Sequence, residues 1–259
     1  MAQILVTGGT GTLGRQIVQQ FTYQGLDVGI LTTRQHVDLA SGAKVYRGDL
    51  IERESIRDAA EKASIIIHCA SDRRNLAVDV EGTRNLLQSV AKSTLRHFIY
   101  VSVAGADRSS YPYYQAKNEG EKIVQGFDLP WSVLRVTQFH DLVWTRLIKP
   151  FDHNDGSPLR IPGGLKLQSI DVKDVAVRLQ GLAMTHALRS TITIGGPEIL
   201  TLEAMTRAYL DAQRRDDGVA PDDISGEFYD LFRSGININP EWRMGKITWE
   251  DFLSENLKK

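Results

Sequence analysis

Cysteine is nearly missing from this chain of 259 residues, which holds only Cys69. One thiol cannot build an intramolecular disulfide framework, and such usage fits a reducing compartment. Long apolar runs are missing too. None approaches the ~20 residues of a membrane-spanning helix. The first strand pattern starts at residue 3, so no signal or transit segment is expected. Excess charge of one sign is also absent. The 31 Lys and Arg face 32 Asp and Glu, for a net charge of −1 and a pI near 6.6. That balance implies no polyanionic partner such as nucleic acid. No internal repeat, low-complexity tract or metal-ligand spacing around His68 is seen. The expectation is a cytoplasmic globular protein, monomer or homodimer, with no membrane, nucleic-acid or metal partner.

Glycine is present where it carries chemistry. Ile4-Leu5-Val6 reads as a strand, and Leu13, Ile17, Val18 and Phe21 recur at helical spacing after it. Between them, Gly8, Gly11 and Gly14 lie on a strand-to-helix turn, the context a dinucleotide-binding reading requires. Gly8 permits the sharp turn, Gly11 lets a pyrophosphate approach its backbone, and Gly14 permits close helix packing. The helix start offers free N–H groups and a partial positive charge, and Thr10 and Thr12 add hydroxyls. A second strand, Asp27–Thr33, ends in Thr33-Arg34. An NAD site usually places an acid there for the ribose 2′-hydroxyl. A guanidinium fork and a hydroxyl suit a 2′-phosphate instead, so the expected cofactor is NADP.

Strands are expected at Lys44–Arg47, Ser64–Cys69, Arg96–Val103 and Pro130–Phe139, with helices at Ile51–Lys62, Leu76–Ala91 and from Tyr113 onward. This alternation predicts an α/β fold, a doubly wound parallel (Rossmann) sheet. His68 and Cys69 read as core residues. Gly82, inside a helix, implies close packing against another backbone. Beyond His140 the pattern loosens. His153–Gly164 reads as loop, Leu167–Ile170 and Thr191–Ile194 as short strands, and Arg214–Gly226 as a mobile charged loop. Asp171 or Asp174 is expected to cap one helix and Thr201 another. Trp242, Trp249, Phe252 and Leu257 predict a docked tail. The expected organisation is a dinucleotide-binding core over 1–139. Residues 140–259 form a smaller substrate-binding lobe with the remaining sheet elements, not an independent domain.

Tyr113 and Lys117 stand four apart on one helix and so share a face. An ammonium beside a phenol favours its ionised form. Such a pair can protonate a substrate oxygen while a nicotinamide delivers hydride.

These motifs together resemble the short-chain dehydrogenase/reductase superfamily, most closely its atypical NmrA-like branch. The resemblance rests on TGGTGTLG at Thr7–Gly14, Arg34, GDL at Gly48–Leu50, HCAS at His68–Ser71 and DVEGTRNLL at Asp79–Leu87. YVS at Tyr100–Ser102, YYQAK at Tyr113–Lys117, LRVTQF at Leu134–Phe139, IDVKDVA at Ile170–Ala176 and IGGP at Ile194–Pro197 complete it. It implies that Asp49 and Leu50 touch the adenine and that Ala70 and Ser71 pass the ribose or pyrophosphate. Gln138 and Phe139 would line the nicotinamide end, and Leu13, Ser102 and Lys117 join the cofactor-binding positions. Lys117 would hold the nicotinamide ribose, and the usual catalytic serine position, counted from Ser102, carries Ala104. The implied activity is hydride transfer from NADPH to a small carbonyl, quinone or similar acceptor. The other reading is a non-catalytic NADP-sensing regulator.

Overall fold

The computed structural model describes residues 3–37 and 42–257. Its organising strand, β1 (Ile4–Thr7), is buried along its whole length, as an unbroken apolar run predicts for the centre of a parallel sheet. The chain continues through α1 (Thr12–Tyr23), β2 (Val28–Thr32), β3 (Lys44–Arg47), α2 (Arg53–Lys62), β4 (Ile65–His68) and α3 (Ala77–Ser89). Then follow β5 (His97–Val103), α4 (Pro112–Gly126) and β6 (Trp131–Val136). The second half holds α5 (His140–Leu142), which runs into a wide π-helical turn at Val143–Ile148, then β7 (Leu159–Pro162), β8 (Lys166–Leu167) and α6 (Val172–Ala183). It closes with β9 (Thr191–Ile194), β10 (Leu200–Thr201), α7 (Leu202–Ala212), β11 (Val219–Asp222), α8 (Glu227–Arg233) and α9 (Trp249–Asn256).

Seven strands form one parallel sheet in the order β3-β2-β1-β4-β5-β6-β9, the Rossmann arrangement expected. Register places Val6 between Ile30 and Ile67. Two compact units divide the chain: residues through Arg135 with Val175–Ile192, and Val136–Asp174 with Thr193 onward. In the first, Leu5, Leu31, Ile66 and Phe98 of the sheet pack with Ile56, Leu86 and Ile123 of α2, α3 and α4. In the second, Leu147, Ile161, Leu167 and Met205 pack with Phe232, Trp249 and Phe252. Trp249 and Phe252 are nearly fully buried, so the tail docks.

Two segments expected as loops are strands paired with each other. β7 lies inside His153–Gly164 and β11 inside Arg214–Gly226, and they run parallel with Ile161 opposite Pro221. Each carries a proline, which disguised it. A two-stranded ribbon has only edge strands, and an edge is where proline is tolerated. The strand expected at Leu167–Ile170 is shorter, Lys166–Leu167, and pairs antiparallel with β10. Thr201 caps α7 by accepting from Ala204 N. Asp171 Oδ1 accepts from Lys173 N at the start of α6. Gly82 packs not on a backbone but on the Leu50 side chain, 2.9 Å from where a Cβ would stand.

A backbone crossing closes the second unit. A Cβ on Gly196 would lie 1.7 Å from the Ser169 carbonyl oxygen, and one on Gly245 would lie 3.2 Å from the Gly196 Cα. Gly195 N donates to Trp242 O, while Met244 N and Gly245 N donate to Gly195 O. The segment Trp242–Gly245 is therefore stitched to Gly195, directly after β9.

Candidate dinucleotide site

The turn after β1 is built from glycine by necessity. Gly8 has φ of +68°, and a Cβ there would lie 2.7 Å from the Ala70 Cα. A Cβ on Gly14 would fall 2.1 Å from the Gly8 carbonyl oxygen. Leu13 is buried beside it. A Cβ on Gly11 would meet only the Gly8 carbonyl oxygen, at 3.3 Å. Gly11 is exposed and is the N-cap of α1, with no side-chain cap and no acid in the first turn. A helix start left this open, with its N–H groups and positive dipole end uncompensated, suits a pyrophosphate. Ser102 adds a buried hydroxyl with no hydrogen-bond partner among the described residues. Cradle, helix end and orphan hydroxyl all fit a dinucleotide.

At the end of β2, Thr33 and Arg34 are exposed. Thr32 Oγ1 accepts from Arg34 N at 3.2 Å and lies 3.5 Å from Thr10 Oγ1. Thr12 is exposed on the first turn of α1. After β3, Asp49 Oδ1 accepts from Ile51 N, and Asn85 Nδ2 donates to the carbonyl of buried Leu50. Ala70 N donates to Thr7 Oγ1 at 3.2 Å, which ties the loop after β4 to β1.

Beneath this surface lies a polar chain that joins β1, β4, α3 and α4. His68 Nδ1 is 2.6 Å from Thr7 Oγ1, and His68 Nε2 is 2.9 Å from Thr83 Oγ1. Thr83 gives its one hydroxyl proton to the Asp79 carbonyl at 2.7 Å. It must therefore accept from His68, which fixes the neutral tautomer protonated at Nε2. Burial, then the Lys117 charge, pushes the His68 pKa down to about 3. His68 is thus the core histidine expected. Cys69 donates to the Thr7 carbonyl at 2.9 Å, and burial pushes its thiol up to about 12, so it is no nucleophile at neutral pH.

Tyr113 and Lys117 share α4 but meet different partners. Lys117 is 3 % exposed. Its Nζ donates to the Val101 carbonyl at 3.0 Å and lies 2.9 Å from Asp79 Oδ1. The Asp79 contact is an ion pair set off the direction a hydrogen bond needs. Burial opposes the Lys117 charge, but the Tyr100 phenol and the Asp79 carboxylate outweigh it and the pKa is raised. Asp79 Oδ2 accepts from Ser71 Oγ at 3.1 Å, and Ser71 Oγ lies 3.4 Å from the Tyr113 hydroxyl. Arg73 stacks over the Tyr113 ring at 5.0 Å. The sequence reading gave Lys117 to the ribose and Asp79 no role. An acid on the same helical face as Thr83 and Leu86 was the available signal, because a buried carboxylate demands a cation. Gln138 and Phe139 belong to the second unit. There Gln138 Oε1 accepts from buried Asn237 Nδ2 at 3.0 Å, and Phe139 bridges Ile170.

The sequence profile of the NAD(P)H-binding family matches residues 8–179. Among curated proteins, the chain is similar to the photosystem II assembly factor Ycf39 of Synechocystis sp., at 32 % identity over 53 % of this chain and 45 % of that one. It is also similar to sterol demethylase protein B of Methylococcus capsulatus, at 38 % identity over 39 % of this chain and 34 % of that one. Each alignment spans less than two thirds of the relative's own length. Among solved structures, a UDP-glucose 4-epimerase of Thermus thermophilus with NAD superposes with a TM-score of 0.77 at 21 % identity, covering 97 % of this chain and 96 % of the other. A nucleoside-diphosphate-sugar epimerase of Staphylococcus aureus gives 0.79 at 17 %, covering 98 % and 100 %. At these identities the likeness concerns the fold. No described helix is long and apolar enough to cross a membrane.

Proposed function

The chain belongs to the NAD(P)H-binding family, and from that premise we propose that it is an NADPH-dependent reductase of a small carbonyl, quinone or similar acceptor. One observation carries the catalytic half of this reading. The Tyr113 hydroxyl opens α4 beside Ser71, at the carboxyl ends of β4 and β5, where open α/β sheets bind their ligands. When bound, the nicotinamide supplies hydride. Tyr113 supplies a proton to the acceptor oxygen as negative charge develops on it. Lys117 keeps a positive charge behind the site, held by Asp79 and the Val101 carbonyl. Gly11 and the first turn of α1 take the pyrophosphate. Arg34 takes the 2′-phosphate through charge-assisted hydrogen bonds, worth about 1.5–3 kcal/mol.

The test is turnover of NADPH with quinones, aldehydes and enones, together with NADPH affinity. Tyr113→Phe keeps the ring and its packing. It should leave NADPH affinity unchanged and lower turnover ~10²–10⁴-fold, the usual share of a positioned general acid. A quinone acceptor, which needs less help from an acid, would retain more. A specific observation favours a second reading, an NADP-binding assembly or regulatory protein: the Lys117 ammonium is spent on Asp79, and Ala104 stands where the family serine is expected. Tight NADPH binding with no turnover on any acceptor would decide for it.

A further inference from the structure

Arg47 is the last residue of β3 and stands in register with Thr32, the last of β2. Its guanidinium reaches over the turn after β2. Nη1 donates to the Arg34 carbonyl at 2.7 Å, and Nη2 donates to the Gln35 carbonyl. From the other side, Thr32 Oγ1 accepts from Arg34 N at 3.2 Å, and Gly48 N donates to the Thr32 carbonyl at 3.1 Å. Arg34 is therefore held at both its N–H and its C=O. Its own guanidinium makes no ion pair or hydrogen bond with any described residue. Arg15 Nε donates to the Thr10 carbonyl at 3.0 Å on the neighbouring turn. A planar fork can serve two consecutive carbonyls at once, and a lysine ammonium, a point charge on a flexible stem, cannot match that geometry. Carbonyl oxygens do not cancel the charge they bind, so the positive potential at this strand end survives.

We propose that Arg47 is a specificity-determining positioning residue, whose fork on the Arg34 and Gln35 carbonyls presents the Arg34 guanidinium to a 2′-phosphate. The inference rests on the NADP reading of the site and deepens it. An unanchored turn would leave Arg34 to be ordered at the moment of binding, at a cost in affinity.

Calorimetry with two fragments tests it: 2′,5′-ADP, which carries the phosphate, and 5′-ADP, which lacks it. For the intact protein, 2′,5′-ADP should bind more tightly. Arg47→Ala should weaken 2′,5′-ADP about tenfold, the equivalent of one charge-assisted hydrogen bond, and change 5′-ADP less than about twofold. Unchanged 5′-ADP affinity also shows that the variant is folded. Arg34→Ala and the double variant should bind 2′,5′-ADP equally, because Arg47 acts only through Arg34. Arg47→Lys should behave like Arg47→Ala. Full rescue by lysine, or additive losses in the double variant, would show a general charge or a direct phosphate contact and overturn the positioning role. An Arg47→Ala protein with undiminished preference would overturn it as well. If the intact protein binds the two fragments equally, the NADP reading itself fails, and that outcome is distinct from the others.

Discussion

Removing Asp79 should destabilise the first unit more than any surface change of equal size. The Asp79 side chain is fully buried, and the Lys117 side chain is 4 % exposed. Asp79→Ala leaves the ammonium with neutral partners only, the Val101 carbonyl at 3.0 Å and the Tyr100 ring at 5.0 Å. A buried charge stripped of its counterion costs about 3–5 kcal/mol. Ser71 is exposed and can turn to water, so its lost hydrogen bond adds little. Lys117→Met makes the mirror-image fault, leaving the carboxylate with Ser71 alone, and should cost a similar amount. The double variant Asp79→Leu/Lys117→Met removes both charges and restores apolar volume. It should lie within about 1 kcal/mol of the parent, because desolvation offsets much of what a buried pair gains. Urea unfolding followed by far-ultraviolet circular dichroism gives the three midpoints, with the slope checked for constancy. A loss below about 1 kcal/mol for Asp79→Ala at unchanged slope, or additive losses in the double variant, would refute the coupling argued from the geometry.

Stability should also depend on acid through His68. Its folded pKa of about 3 lies below the ordinary 6.5, so between those values the unfolded chain takes a proton that the native site refuses. Stability from this group is full above pH 6.5 and is lost as pH falls towards 3, by up to about 5 kcal/mol. His68→Leu should flatten that part of the stability–pH curve, and parallel curves for the two proteins would contradict the assignment. Gly11→Val should abolish NADPH binding in calorimetry while thermal stability changes by about 1 kcal/mol or less. The extended Gly11 backbone suits valine, and only the Gly8 carbonyl oxygen is near its Cβ. Normal NADPH affinity in that variant would place the phosphates elsewhere.

Most of the fold was legible because it is written in local pattern. The buried strands are continuous apolar runs, and Lys44–Arg47 and Thr191–Ile194 fall where expected. The glycine turn was legible because its chemistry is fixed by spacing. What escaped the sequence is what depends on a partner far along the chain. β7 and β11 each look like loop alone and become strands only against each other. Asp79 sits inside a recognised motif, yet its role appears only once α3 and α4 bring it 2.9 Å from Lys117. Arg47 reads only as the polar end of a short strand until the turn after β2 folds back under it.

The stitched tail has a consequence for synthesis. Every residue of the first unit has been made once Ile192 has left the ribosome. The second unit cannot close then, because Trp249, Phe252 and the Gly245 crossing are still to come. At ordinary elongation rates the interval is on the order of ten seconds. Throughout it, Leu147, Ile161 and Leu167 lack the aromatic residues that cover them. The nascent chain therefore passes through a state with one finished unit and one sticky, half-built one. That is the stage at which exposed apolar surface makes the chain most prone to association with others.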